Sequence, residues 1–149
     1  MIHYSKYKTL KNEIKKFMDL KILEIASHTE NNKVLNNFTH KSKHRNPLCG
    51  DVMEISLIVK NDTIKDIGYQ CKSCVYCQAS VSLLSRKIKE KKIEEVKRFI
   101  DVGEYLFDDV KLSIEKQWTD FKEILNKKNV SRKECLLLPL KTIAKALKI

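Results

Sequence analysis

Apolar residues recur at Leu10, Ile14, Phe17, Met18, Ile22 and Ile25. That is the three-and-four spacing of one helix face, and it predicts an amphipathic helix over residues 9–26. Polar positions take over in residues 27–47, a stretch rich in Asn, His, Lys and Thr, which reads as a long loop holding a short strand at residues 34–38. A loop this long inside a small domain usually has a functional reason. The period then changes. Residues 52–59 alternate, K-N-D-T at 60–63 predicts a turn, and residues 64–69 half-alternate, so together they read as a β-hairpin. Helical spacing returns from Gln78 onward with Val81, Leu84 and Ile88, and again over residues 93–100, 114–125 and 140–147. Trp118 and Phe121 share one face of the third of these segments and read as core or partner-contact residues. Helix, small antiparallel sheet and then helices predict an α+β fold with the helices packed on one sheet face.

Composition narrows the function classes. At 149 residues the chain fits one domain, 1–149, large enough to bury a substantial core. The formal net charge is +11, but 26 of the 30 basic residues are Lys, and only Arg45, Arg86, Arg98 and Arg132 offer a rigid bidentate fork. The basic residues are spread along the whole chain and are not interleaved with aromatics, so there is no stacking platform and nucleic acid is not the expected ligand. A solvated Lys-rich surface, or a docking face for an acidic partner protein, fits better. The N-terminal M-I-H-Y-S-K-Y-K-T-L-K is too polar for a signal peptide, and no apolar run approaches a membrane span. A cytoplasmic or comparably reducing location is expected, where five cysteines read as metal ligands or reactive thiols before disulfides. With no G-x-S-x-G, no Walker loop and three glycines in all, the expected turnover, if any, is sulfur transfer through a thiol.

The cysteines occupy three short contexts: N-P-L-C-G-D at 46–51, C-K-S-C-V-Y-C at 71–77, and R-K-E-C-L-L-L-P at 132–139. A hairpin that folds back on itself returns Cys49 and Asp51 to the loop carrying Cys71, Cys74 and Cys77. Three thiolates and one carboxylate make a tetrahedral set for zinc, or for a [2Fe–2S] unit with one loosely held corner. The helix beginning near Gln78 aims its positive end at the cysteine loop, which favours thiolate. A lone reduced Cys is often just a small buried hydrophobe. Three within seven residues, with two more beside Gly, Asp and Arg, favour a site instead. His28, His40 and His44 lie in or beside the polar loop and read as solvated side chains or as spare ligands.

These residues resemble the NifU/IscU/SufU family of iron–sulfur cluster assembly proteins. The resemblance runs from about Asn46 to the C-terminus, more loosely through the first helix. It is carried by C-G-D at 49–51, Tyr69 five positions before Cys74, A-S-V-S at 79–82, and the R-x-x-C of Arg132 to Cys135. It implies an IscU-like fold with Cys49, Asp51, Cys74 and Cys135 as the metal or cluster site. Within the family the match leans to the SufU type. Cys74 and Cys135 are 61 positions apart (135 − 74), room for the additional helical segment of SufU-type proteins. Arg132 precedes the last Cys by three, and Glu134 stands where IscU-type proteins place a His. The L-P-P-V-K chaperone segment of IscU is absent, and Cys71 and Cys77 lie outside the common pattern, as added thiolates, sulfur relays or buried bystanders.

Two functions are implied for one site. As a scaffold, the chain assembles a transient iron–sulfur cluster, [2Fe–2S] in expectation, on Cys49, Cys74 and Cys135 with Asp51 as the labile ligand, and passes it to apo iron–sulfur client proteins. As a SufU-like, zinc-dependent acceptor, it receives persulfide sulfur from a cysteine desulfurase on Cys135, with Arg132 favouring the thiolate. A third reading is an interaction domain in which the cysteines are a structural zinc staple.

Overall fold

A computed structural model describes residues 6, 8–10, 12, 20–108 and 112–149. Of the expected first helix, the described stretch 20–26 (α1) is helical and buries Ile22 and Ile25; Ile14, Phe17 and Met18 lie outside the described residues. The chain then forms β1 (His40–Arg45), β2 (Val52–Lys60), β3 (Thr63–Lys72), α2 (Val75–Ile88), α3 (Ile93–Gly103) and α4 (Lys133–Leu147). The strands make one antiparallel sheet in the order β1-β2-β3.

The sheet is a hairpin with a third strand that the apolar pattern does not announce. Residues 34–38 form no strand, and Val34 and Phe38 are exposed. The strand instead is His40–Arg45, H-K-S-K-H-R, which buries only Ser42. As an edge strand it pairs through its backbone and one cross-strand ion pair, Lys41 to Glu54 of β2 at 2.9 Å, and its charged side chains lie toward water. In the hairpin, Met53, Ile55 and Leu57 point inward from β2 and pair with Cys71, Tyr69 and Ile67 of β3. The K-N-D-T turn carries positive φ at both Asn61 and Asp62, as the two-residue hairpin loop that matches strand twist requires. The register shifts at Ile58/Val59, where Ile58 meets Asp66 and Val59 meets Ile64. Lys65 is the added residue, which is why the buried positions of β3 run Ile64, Ile67, Tyr69 rather than in strict alternation.

The helices cover the inner face. Ser42 donates to the Thr142 carbonyl of α4, and Lys145 to that of Lys43 at 3.0 Å. The A-S-V-S stretch joins three elements. Ser80 donates to the Leu136 carbonyl at 2.6 Å, and Ser82 donates to the Ile25 and His28 carbonyls at 2.9 and 2.6 Å. Both serines are fully buried beside Ala79, so small side chains let α2 approach α4 and α1 closely while every hydroxyl finds an acceptor. Residues 114–125 are not an α-helix as the spacing suggests; Lys116–Glu123 is a 3₁₀ helix. Trp118 and Phe121 are core residues all the same. Phe99 of α3 stacks on Trp118 at 4.6 Å and packs on Phe121 at 4.6 Å.

Residues 31–35 strap across β3, where the Asn31 carbonyl accepts from the Tyr69 N–H at 3.1 Å. A Cβ on Gly68 would lie 2.5 Å from the Lys33 carbonyl oxygen, which leaves no room for a side chain. Gly68→Ala is therefore expected to destabilise the fold by about 1–3 kcal/mol, read as a lower denaturation midpoint. An unchanged midpoint would show that the strap is not held against the strand.

Candidate metal centre

Arg45, Val52 and Lys72 lie side by side at one end of the sheet. The β1–β2 connection and the β3–α2 joint therefore open on the same side. Cys49 and Asp51 sit in the first and Cys74 in the second. The β1–β2 loop is held by its first residue. The Asn46 N–H donates to the Asp51 carbonyl at 2.8 Å, the Asn46 carbonyl accepts from Gly50 at 2.9 Å, and the Asn46 side-chain oxygen accepts from Leu48 at 3.0 Å. Gly50, at φ +75°, makes the reversal that presents Cys49.

Two helix N-termini complete the site. Cys74 is the N-cap of α2, and Cys135 is the third residue of α4, so both lie at the positive ends of helices. Further along α4, Pro139 has no N–H to offer the Cys135 carbonyl four residues back, which leaves the ladder open at the turn carrying that thiol.

The Sγ atoms of Cys49 and Cys135 are 3.7 Å apart. With a carboxylate oxygen of Asp51 they form a triad of donor atoms all within 4.8 Å of one another. Cys74 falls outside that triad, though its thiol interacts with that of Cys135. Asp51 is only 8% exposed, and its Oδ2 has no hydrogen-bond partner among the described residues. A buried carboxylate oxygen without a partner is costly, and a cation bound by the neighbouring thiolates would satisfy it.

Burial pushes the Cys135 thiol well above its ordinary value, and the Cys74 and Cys49 thiols add to the rise. The helix ends act in the opposite sense. Cys71 lies on the inner face of β3 opposite Met53, and Cys77 is wholly buried in the first turn of α2. Burial raises both thiols too, with the Asp51 and Cys74 charges contributing. The guanidinium of Arg132 lies over the Tyr76 ring, 5.1 Å from its centre, a pairing that no motif in the sequence announces. His28, His40 and His44 are not part of the donor triad. The role of Asn46 is the more legible one, because Asn before Pro marks a turn in which the side chain caps the backbone two residues on.

A soft divalent ion bound here must displace the Cys135 proton, since a thiol with a raised pKa is protonated at neutral pH. Zinc affinity should then fall as pH falls, with release of about one proton or more per zinc near pH 7, measurable by calorimetry in buffers of different ionisation enthalpy. Affinity independent of pH would mean that no protonated thiol is being displaced.

The model of one protein family, described as the NifU-like N terminal domain, matches residues 18–117. An iron–sulfur cluster assembly scaffold protein IscU of Thermotoga maritima is 30% identical over 132 residues, covering 85% of this chain and 89% of the relative. A protein of the same description from Archaeoglobus fulgidus is 42% identical over 50 residues, about a third of each chain (34% and 33%). The fold is similar to the N-terminal part of a NifU-like protein from Brucella abortus, with TM-score 0.78 at 21% identity over 85% of this chain and 89% of that one. It is similar also to a SUF-system scaffold protein (SufU) from Fervidobacterium islandicum, with TM-score 0.74 at 21% identity over 85% and 93%.

Proposed function

The chain belongs to the NifU-like N-terminal domain family, and from that premise we propose that it is an iron–sulfur cluster assembly scaffold of the NifU/IscU/SufU type. Its ligands are Cys49, Asp51, Cys74 and Cys135. The observation that carries this reading is the triad of Cys49, Asp51 and Cys135 donors, which includes a buried carboxylate residue whose Oδ2 has no partner among the described residues. Thiolates suit iron–sulfur cargo, and a single carboxylate is the harder, weaker ligand at which a nascent cluster is given up. The cluster is cargo, delivered to apo iron–sulfur proteins, and its sulfur comes from a cysteine desulfurase.

A second reading, the SufU-like sulfur acceptor, is favoured by Arg132 at the N-cap of α4, three residues before Cys135. Residues 104–132, whose described part forms three 3₁₀ segments between α3 and α4, favour it too. Zinc would be held by the same four residues and would keep their thiols deprotonated. In the transfer, the Cys135 thiolate attacks the terminal sulfur of the desulfurase persulfide. The donor's S–S bond breaks, a new one forms on Cys135, and the desulfurase cysteine leaves as thiolate. Cys71 and Cys77 act as packing side chains in either reading.

Zinc, iron and acid-labile sulfide per chain after anaerobic purification, with the visible spectrum of the same sample, separate the two. Iron matched by sulfide in a coloured protein supports the scaffold. Zinc without sulfide, with stimulation of a desulfurase, supports the acceptor. Metal that is structural only, whose removal unfolds the chain without sulfur chemistry, would overturn both.

Asp51→Ala is expected to hold its metal or cluster more tightly and to release it more slowly. Equal or weaker retention with unaltered transfer would count against a labile carboxylate corner. Cys77→Ala should lower the melting temperature while leaving metal content at the wild-type value; a drop in content would make Cys77 a ligand.

A further inference from the structure

Tyr76 sits in the first turn of α2, two residues after Cys74, and Arg132 is the N-cap of α4, three residues before Cys135. The guanidinium carbon of Arg132 is 5.1 Å from the centre of the Tyr76 ring, within the reach of a cation–π contact. Arg132 makes no ion pair among the described residues. Its backbone, at φ −111° and ψ 14°, turns between the preceding 3₁₀ segment and the helix. The ring is therefore the one partner described for this exposed cation, and it belongs to the helix that carries Cys74. A free arginine spreads over many rotamers; stacked on a half-buried ring, its planar head keeps one place.

We propose that Tyr76 is a positioning residue. Its ring holds the Arg132 guanidinium between the two helix starts that bear Cys74 and Cys135, so that a fixed positive charge meets anionic sulfur arriving at the thiols. This rests on the reading of Cys135 as the thiol that takes up sulfur. The contact bridges α2 and α4 on their solvent side, while the hydrogen bond from Ser80 to Leu136 ties the same helices inside. Removing the ring thus frees the cation without cutting the buried link.

The test compares alkylation of the Cys49/Cys135 pair in the reduced, metal-free chain by iodoacetate, an anion, and by neutral iodoacetamide, resolved by peptide mass spectrometry. The ratio of the two rates cancels the thiolate fraction and reports the local charge. Arg132→Ala and Tyr76→Leu should each lower the ratio about threefold, Tyr76→Phe should keep it, and the double variant should fall no further than Arg132→Ala. Upfield ring-current shifts of the Arg132 side-chain protons should be present in the wild type and in Tyr76→Phe. They report the stacking even if Tyr76→Leu folds poorly.

A wild-type ratio in folded Tyr76→Leu, additive losses in the double variant, or absent ring-current shifts would each overturn the proposal. A wild-type ratio in Arg132→Ala would remove the role of the cation and the proposal with it. Sulfur loading of Cys135 from L-cysteine and a cysteine desulfurase is measured separately. If it fails while the ratios behave as expected, the functional reading falls and the positioning by Tyr76 stands.

Discussion

The hydrogen bond from the buried Ser80 hydroxyl to the Leu136 carbonyl is the constraint from which the site follows. It joins α2 and α4 one turn inside their N-termini, where Cys74 caps one helix and Cys135 opens the other. Inside a dry core an unpaired hydroxyl costs more than the bond contributes, so the two helices cannot slide by a turn without leaving the Ser80 hydroxyl orphaned. Ser82 makes the same demand on the end of α1. The sheet supplies the remaining donors because antiparallel pairing of β1, β2 and β3 ends on the row Arg45, Val52, Lys72.

At the cysteines two electrostatic effects compete. Positive helix ends favour thiolate by amounts that fall off within a turn. Burial and the crowding of like groups work against it, and they raise the Cys135 thiol. The Cys135 thiol therefore keeps its proton until a cation arrives, and a cation bound there takes that proton's place. Asp51 adds to this with one buried carboxylate oxygen, Oδ2, that has no hydrogen-bond partner among the described residues. Cys49, by contrast, is exposed on a loop tied by Asn46. The cluster of donors therefore has an open side and a closed one.

The five cysteines divide along the same line. Cys77 is wholly buried among the core side chains, and Cys71 occupies the last inward rung of β3. Their closeness in sequence to Cys74 follows from the short joint between strand and helix: a strand alternates faces and a helix returns every three or four residues. The spacing of three that makes C-x-x-C-x-x-C look like a ligand set thus places its outer members against the core.

The sequence by itself determined the order of elements, the hairpin and its turn, and the helices that bury Leu84, Val96 and Ile143, because burial of one face leaves a period in the chain that can be read locally. It determined the motifs around Cys49, Cys74 and Cys135 as well. It did not announce β1, whose H-K-S-K-H-R pairs through backbone groups and buries almost nothing. Nor did it announce the 3₁₀ form of residues 116–123, since an apolar face at three-residue intervals suits either helix. Only the tertiary structure decided that Cys49 and Cys135, 86 residues apart, come to 3.7 Å, that Asp51 is buried with one oxygen unpaired among the described residues, and that Arg132 rests on Tyr76. Those are contacts between segments distant in the chain, set by how the helices lie on the sheet, and no local period encodes them.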